Sequence, residues 1–273
     1  MRKVSLPLVF LLTFILLLWV GCSKKKSDAE LEGATSAEAL YKIGEKYVRK
    51  DPERARLYFR QIIDSFPQSF YAQRAKLAIA DSYFRKGDEG NMILAASEYR
   101  EFISLYPLSP RAPFAQYRIG LTYWKKALKP GRDQSKTKQA LIEFKKVVTN
   151  YPLSDEAKLA QEKIKEAEER LARHEFEIAR FYYKVYSLIA AERRLKEIMT
   201  KYPDFSRMEA VYFFLADTYF RWQRYDDSLP YFTKVISDYP ESKFAKKAKK
   251  RLKEIEEKKK EKEKEKGKEK KKK

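Results

Sequence analysis

Apolar positions along the chain recur in two groupings, and each recurrence ends at a proline. Five aromatic-proline steps mark the breaks: Phe66-Pro67, Tyr106-Pro107, Tyr151-Pro152, Tyr202-Pro203 and Tyr239-Pro240. Eight residues before each proline stands a large apolar residue: Phe59, Tyr99, Phe144, Leu195 or Phe232. Four residues earlier stands a small one: Ala55, Ala95, Ala140, Ala191 or Ser228. Further upstream a second grouping repeats as Ile43-Gly44 with Tyr47, Ile79-Ala80 with Tyr83, Ile119-Gly120 with Tyr123, Ile178-Ala179 with Tyr182, and Leu215-Ala216 with Tyr219. The three- and four-residue steps are helical. Each unit therefore predicts a helix, a turn and a second helix, stopped by a proline that cannot continue it. The small residues mark where paired helices approach closely, and the aromatics fill the space between neighbours.

Unit after unit, this is the tetratricopeptide pattern of Leu-Gly-x-x-Tyr, Ala-x-x-x-Phe and Pro. The predicted fold is all-α: a solenoid of five tetratricopeptide-like helix pairs, with stacking supplying a core that no single pair could bury. The third copy carries a long insert, Ala127 to Thr137. After Ser154 a stretch without Gly or Pro runs from Asp155 to about Arg173 and merges with Leu171–Tyr183, predicting one long helix between repeats three and four. The expected organisation is repeats one to three over 37–153, then the linking helix, repeats four and five and a capping helix over 154–256. That cap spans Ser242 to Glu256, with Phe244, Ala248, Leu252 and Ile255 at helical spacing. Residues 257–273 hold only Lys, Glu and one Gly, and are expected to be disordered or a frayed solvated helix.

The start of the chain has another character. Arg2 and Lys3 precede an apolar run from Leu6 to Val20 that ends at Gly21-Cys22. A run of about 15 residues is short for a spanning helix, which needs about 20. Residues 1–21 read as a secretory signal. Gly21 before the only cysteine resembles a bacterial lipobox, with Trp19 at the position usually held by Leu. The resemblance implies cleavage before Cys22 and acylation of its thiol, and Ser23 implies sorting to the outer membrane. Residues 22–36 then form a flexible tether on the periplasmic side.

Charge adds little to the body. The formal net charge is +21, but residues 1–26 carry five bases and no acids, and residues 246–273 carry 17 bases and 7 acids. The middle is only mildly basic, and export removes the chain from cytoplasmic nucleic acid. One Cys and one His give neither an internal disulfide nor a zinc site. No phosphate loop, nucleophile elbow or paired metal motif is present, so no catalytic, cofactor or metal residues are assigned.

Lipobox, five repeats and a long helix after the third together resemble the BamD family of the outer-membrane β-barrel assembly machine. The most specific stretch is Arg132-Asp133-Gln134-Ser135-Lys136-Thr137, similar to the family's Asp-Arg-Asp-Gln signature with Gly131 in place of the first Asp. Leu171 to Phe176 and Tyr182-Tyr183 resemble the family's entry into repeat four. The resemblance covers Ala37 to about Ala248. It implies a non-enzymatic scaffold whose C-terminal repeats dock a barrel-forming partner, BamA, beside other assembly-machine lipoproteins, and whose N-terminal repeats meet unfolded outer-membrane proteins. It further implies that an Arg on the second helix of repeat four pairs with a partner carboxylate. Arg194 aligns, with Arg193 beside it. The alternative is another periplasmic repeat lipoprotein that tethers cell-wall or secretion machinery.

Independently of the resemblance, first helices of such pairs line the concave face. The inward candidates are Tyr41 and Arg49 in repeat one, Arg74, Phe84 and Arg85 in repeat two, and Phe114, Tyr117, Trp124 and Lys125 in repeat three. Aromatic slots mixed with cations suit a peptide that carries aromatic side chains and a free carboxylate.

Overall fold

The computed structural model describes residues 36–270, with side chains to 264. The expected signal, Cys22 and all but the last residue of the tether lie outside the described residues. Eleven helices follow in order among the described residues: α1 (Ala37–Tyr47), α2 (Pro52–Ser65), α3 (Phe70–Lys86), α4 (Glu89–Leu105), α5 (Ala112–Trp124), α6 (Ser135–Asn150), α7 (Asp155–Lys184), α8 (Leu188–Lys201), α9 (Met208–Arg221), α10 (Tyr225–Asp238) and α11 (Lys243–Lys270). Among those residues there is no strand. The all-α repeat fold and the long helix are as expected.

The five prolines act alike. Phe66, Tyr106, Tyr151, Tyr202 and Tyr239 cap α2, α4, α6, α8 and α10 with φ between −136° and −131° and ψ between 53° and 63°. Each donates its N–H to the carbonyl four residues back, closing the last turn before proline interrupts the ladder. Three residues after each cap an N–H returns to the cap's carbonyl, from Ser69, Ser109, Ser154, Phe205 and Ser242. Ser69 and Ser154 then accept from backbone N–H groups at the starts of α3 and α7. One turn chemistry, written five times, sets the repeat.

The chain divides into two compact units, one ending at Arg118 and the other beginning at Ile119. The division falls inside α5. Near the end of α5, Gly120 lies against the ring of Phe144 on α6. In the first unit, Leu40, Ala55, Tyr58, Phe59, Ile62, Tyr99 and Phe102 are fully buried. Lys76 on α3 is buried between Glu98 and Glu101 on α4, at 2.8 and 2.7 Å. Burial disfavours its charge, yet the two carboxylates hold its pKa above the ordinary value.

In the second unit, α7 runs unbroken for 30 residues from its Ser154 cap. Phe176, Leu195, Ile198, Phe213, Leu215, Phe232, Val235, Phe244 and Ile255 form a shared core of α7 to α11. Asp217 on α9 is almost wholly buried and gathers three donors. Tyr183 of α7 donates its hydroxyl, Arg251 of α11 its Nε at 2.7 Å, and Arg221 stands 3.3 Å away. The capping helix does not stop at Glu256 but continues to Lys270. Lys and Glu are good helix formers that pair along the surface, and Lys259 reaches back to Asp226 at 2.6 Å.

Candidate peptide groove and docking surface

Two adjoining grooves in the first unit collect part of the predicted set. One, of about 490 Å³, is lined by Tyr41, Phe70, Arg74, Leu77, Asp81 and Arg111 among others. The other, also about 490 Å³, shares Tyr41 and Asp81 and adds Glu45, Arg49 and Arg85. Tyr41 is the hinge of both. Its ring packs on Phe59 and Tyr71, with centroids 5.3 and 5.5 Å away, and the Arg74 guanidinium lies 4.5 Å above it. Burial pushes the Tyr41 hydroxyl pKa up, so it stays a neutral donor at neutral pH. Arg74 stands 3.8 Å from Glu45. Arg85 donates to the Val48 carbonyl at 2.8 Å, which aims its side chain across the end of α1.

Around Asp81 the charges alternate with rings. Tyr99 donates its hydroxyl to the Asp81 carboxylate, and burial with that carboxylate raises the Tyr99 pKa strongly. Arg118 Nε stands 4.0 Å from Asp81 and spreads over Phe84 at 4.6 Å and Phe114 at 4.9 Å. Arg111 covers Phe114 at 4.5 Å.

Not every candidate joins the grooves. Phe84 is buried edge-on against Tyr99 and serves packing. Phe114 and Tyr117 are half-buried on α5. Trp124 belongs to the second unit, with Arg170 at 4.1 Å and Lys163 at 5.7 Å from its ring, and Lys125 is exposed beside it. Phe70, Asp81, Arg111 and Arg118 escaped the sequence reading. Phe70 and Arg111 sit at helix starts, away from the repeat positions used for counting. Asp81 was lost between cations.

The Arg132-Asp133-Gln134 stretch is a loop lock. Gln134 is buried and donates to the carbonyls of Lys129 and Arg132 at 2.9 and 3.1 Å, while accepting from Thr137 at 2.8 Å. Asp133 accepts from the Ser135 N–H and hydroxyl, which hold its pKa below the usual carboxylate value. From α7, His174 Nδ1 meets the Pro130 carbonyl at 2.6 Å and Arg170 reaches the Ala127 carbonyl at 3.4 Å.

A second surface lies at the turn from α7 to α8. Tyr186 takes a left-handed φ of 60° there, which costs a non-glycine residue about 1–3 kcal/mol. Phe181, Val185, Tyr186 and Ile189 are all more than half exposed. Arg193, exposed, follows Ile189 by one helical turn on α8 and so shares its face. Arg194 is already paired: its Nη1 meets Glu175 of α7 at 2.8 Å, and its buried Nε has no hydrogen-bond partner. The sequence left the two arginines unresolved, and the structure gives them different surroundings.

Among the described residues, no helix is long and apolar enough to cross a membrane, and no cluster of three or more His, Cys, Asp or Glu could hold a metal.

With both surfaces described, comparison with known proteins becomes informative. A family model described as outer membrane lipoprotein matches residues 33–221, and a tetratricopeptide repeat model matches 211–242. The outer membrane protein assembly factor BamD of Caulobacter vibrioides is 30% identical over 202 residues, covering 73% of this chain and 65% of its own. That of Rickettsia prowazekii is 27% identical, covering 82% and 88%. Among solved structures, MamA from Desulfovibrio magneticus RS-1 is 16% identical with a TM-score of 0.34, covering 75% of this chain and 95% of that one, too loose a likeness to extend the reading. The family match spans well over half of the chain, and the chain belongs to the outer membrane lipoprotein family whose curated relatives are the BamD assembly factors.

Proposed function

We propose that the chain is a non-catalytic scaffold for outer-membrane protein assembly, held to the periplasmic face of the membrane by acylated Cys22. On this reading the turn from α7 to α8 docks the barrel-forming partner, a BamA-like protein. The grooves around Tyr41 and Arg74 receive unfolded outer-membrane proteins. The observation that carries the docking role is the exposed apolar cluster Phe181, Val185, Tyr186 and Ile189, continued by Arg193 on the same face. An apolar centre edged by a cation is the composition of a protein-binding patch. Arg194 adds donors at its edge once a partner carboxylate competes with Glu175. For the grooves, a guanidinium over an aromatic ring beside an open cavity offers both stacking and a carboxylate contact.

The test is co-purification from detergent-solubilised envelopes. Ile189→Glu with Arg193→Glu is expected to abolish recovery of a large barrel protein with periplasmic domains, and Arg194→Glu to reduce it. Undiminished recovery with the double variant would remove the α7–α8 turn from the docking role. For the grooves, an unfolded peptide ending in an aromatic residue with a free carboxylate should bind, and Arg74→Ala should weaken it about tenfold. Equal binding of the wild type and the variant would displace the site.

A further inference from the structure

The start of α11 carries a face that neither groove nor docking turn uses. Lys243, Lys246, Lys247, Lys249, Lys250 and Lys253 are all exposed, and no acid stands between residues 243 and 253. At about 100° per residue these lysines cover about 160° of the helix circumference. Phe244, Ala248 and Ile255 occupy the opposite side and are buried in the core. Arg251, the one other cation here, turns inward to Asp217 and Glu254. The acids begin only at Glu254, so the lysine face is a bounded patch, distinct from the mixed Lys/Glu helix that follows.

We propose that this lysine face lies against anionic phospholipid headgroups of the membrane that bears the protein. Three observations favour lipid over a protein. The exposed cations are lysines, hydrated point charges on flexible stems, which suit a diffuse negative surface better than the planar fork of arginine. No apolar or aromatic side chain is exposed among them, and protein partners need such anchors. The buried stripe on the other side fixes the helix on α9 and α10, so the six flexible side chains rise from one held backbone, with Lys243 and Lys247 leaning over the Phe244 ring at 5.3 and 5.7 Å. Juxtamembrane clusters of 4–8 Lys or Arg bind anionic headgroups by this kind of attraction, which falls off within about 8 Å at physiological ionic strength. The inference rests on the membrane-anchored reading above.

The experiment uses the full lipidated chain in vesicles of phosphatidylcholine alone or with about a third phosphatidylglycerol. Lysine acylation rates are read by peptide mass spectrometry. Lys246, Lys250 and Lys253 should react about tenfold more slowly in the anionic vesicles, Lys158 should be unchanged, and high salt should restore the rates. Equal rates in both vesicles would overturn the proposal. So would protection in neutral vesicles that appears only when an envelope protein fraction is added, which would assign the face to a protein. Failure of the chain to stay with neutral vesicles would instead break the anchor reading. Flotation with anionic vesicles would then decide: salt-sensitive flotation supports the lysine face, and none overturns it.

Discussion

At Gly120 a side chain as small as a methyl group would have nowhere to go. A Cβ there would come within 2.5 Å of the Phe144 ring, which is fully buried and hemmed in. Ala favours helix over Gly by about 1 kcal/mol, but overpacking costs about 1–3 kcal/mol, and the strain should win. Gly120→Ala is expected to lower stability by about 1 kcal/mol net, read as a reduced urea midpoint; an unchanged or higher midpoint would show that Phe144 yields. Residue-scale legibility was uneven. All five large residues eight before the prolines and all five small ones twelve before are fully buried, because a repeat multiplies the evidence for each position. Asp217 had no such support. Ala216-Asp217 reads like any solvated acid beside a small residue, and only the neighbouring helices reveal that Tyr183, Arg221 and Arg251 converge on it.

Elements join through a few polar contacts whose pH dependence can be signed. Glu169 on α7 accepts from the Ser206 N–H at 2.9 Å and hydroxyl at 2.6 Å, ahead of α9. Burial raises its pKa, but Ser206 and Arg173 reverse this and leave it below 4.5. A depressed folded value means that the contact stabilises fully above pH 4.5 and is lost as pH falls through the lower folded value. Ser206→Ala should therefore flatten the loss of thermal stability below pH 4.5, seen in melting curves from weakly to strongly acidic buffer. A curve parallel to wild type would show that the contact carries no linkage. At α11, Phe244 packs on Phe213 and Phe214 at 5.0 and 6.0 Å between centroids. Phe244→Ala should cost about 3–5 kcal/mol, whereas a stop after Glu257 removes, among the described side chains, Lys and Glu residues with the Lys259–Asp226 pair and the Lys262 contact on the Tyr225 ring, worth about 1 kcal/mol. Denaturant titration separates the two. The sequence leaves residues 257–273 open between disorder and a frayed solvated helix, because an apolar stripe marks where a helix must pack, while propensity alone decides how far it continues.

For the whole molecule, repeat number and fold class were legible because the turn signal occurs five times. The division between Arg118 and Ile119 was not, since it lies within a continuous helix. The candidate grooves were half legible: the count along each first helix names Tyr41, Arg49, Arg74 and Arg85, which line them, but a one-residue rotation separates groove from core, as Phe84 shows. Attachment is a property of the entire chain. Cys22→Ser is expected to move the protein from the membrane to the soluble fraction on fractionation, and full retention in the membrane would end the lipid-anchor reading. The unbroken α7 has a geometric consequence of its own. Thirty helical residues make a strut about 45 Å long. It works as a gauge rod, keeping whatever is gripped near Ser154 and whatever is gripped near Tyr186 at a set separation and a set azimuth. Seven inserted residues would lengthen the rod by about 10 Å while turning its far end by only about 20°. Five would lengthen it by about 7.5 Å and swing that end by about 140°, so the number of inserted residues decides how far facing changes along with reach.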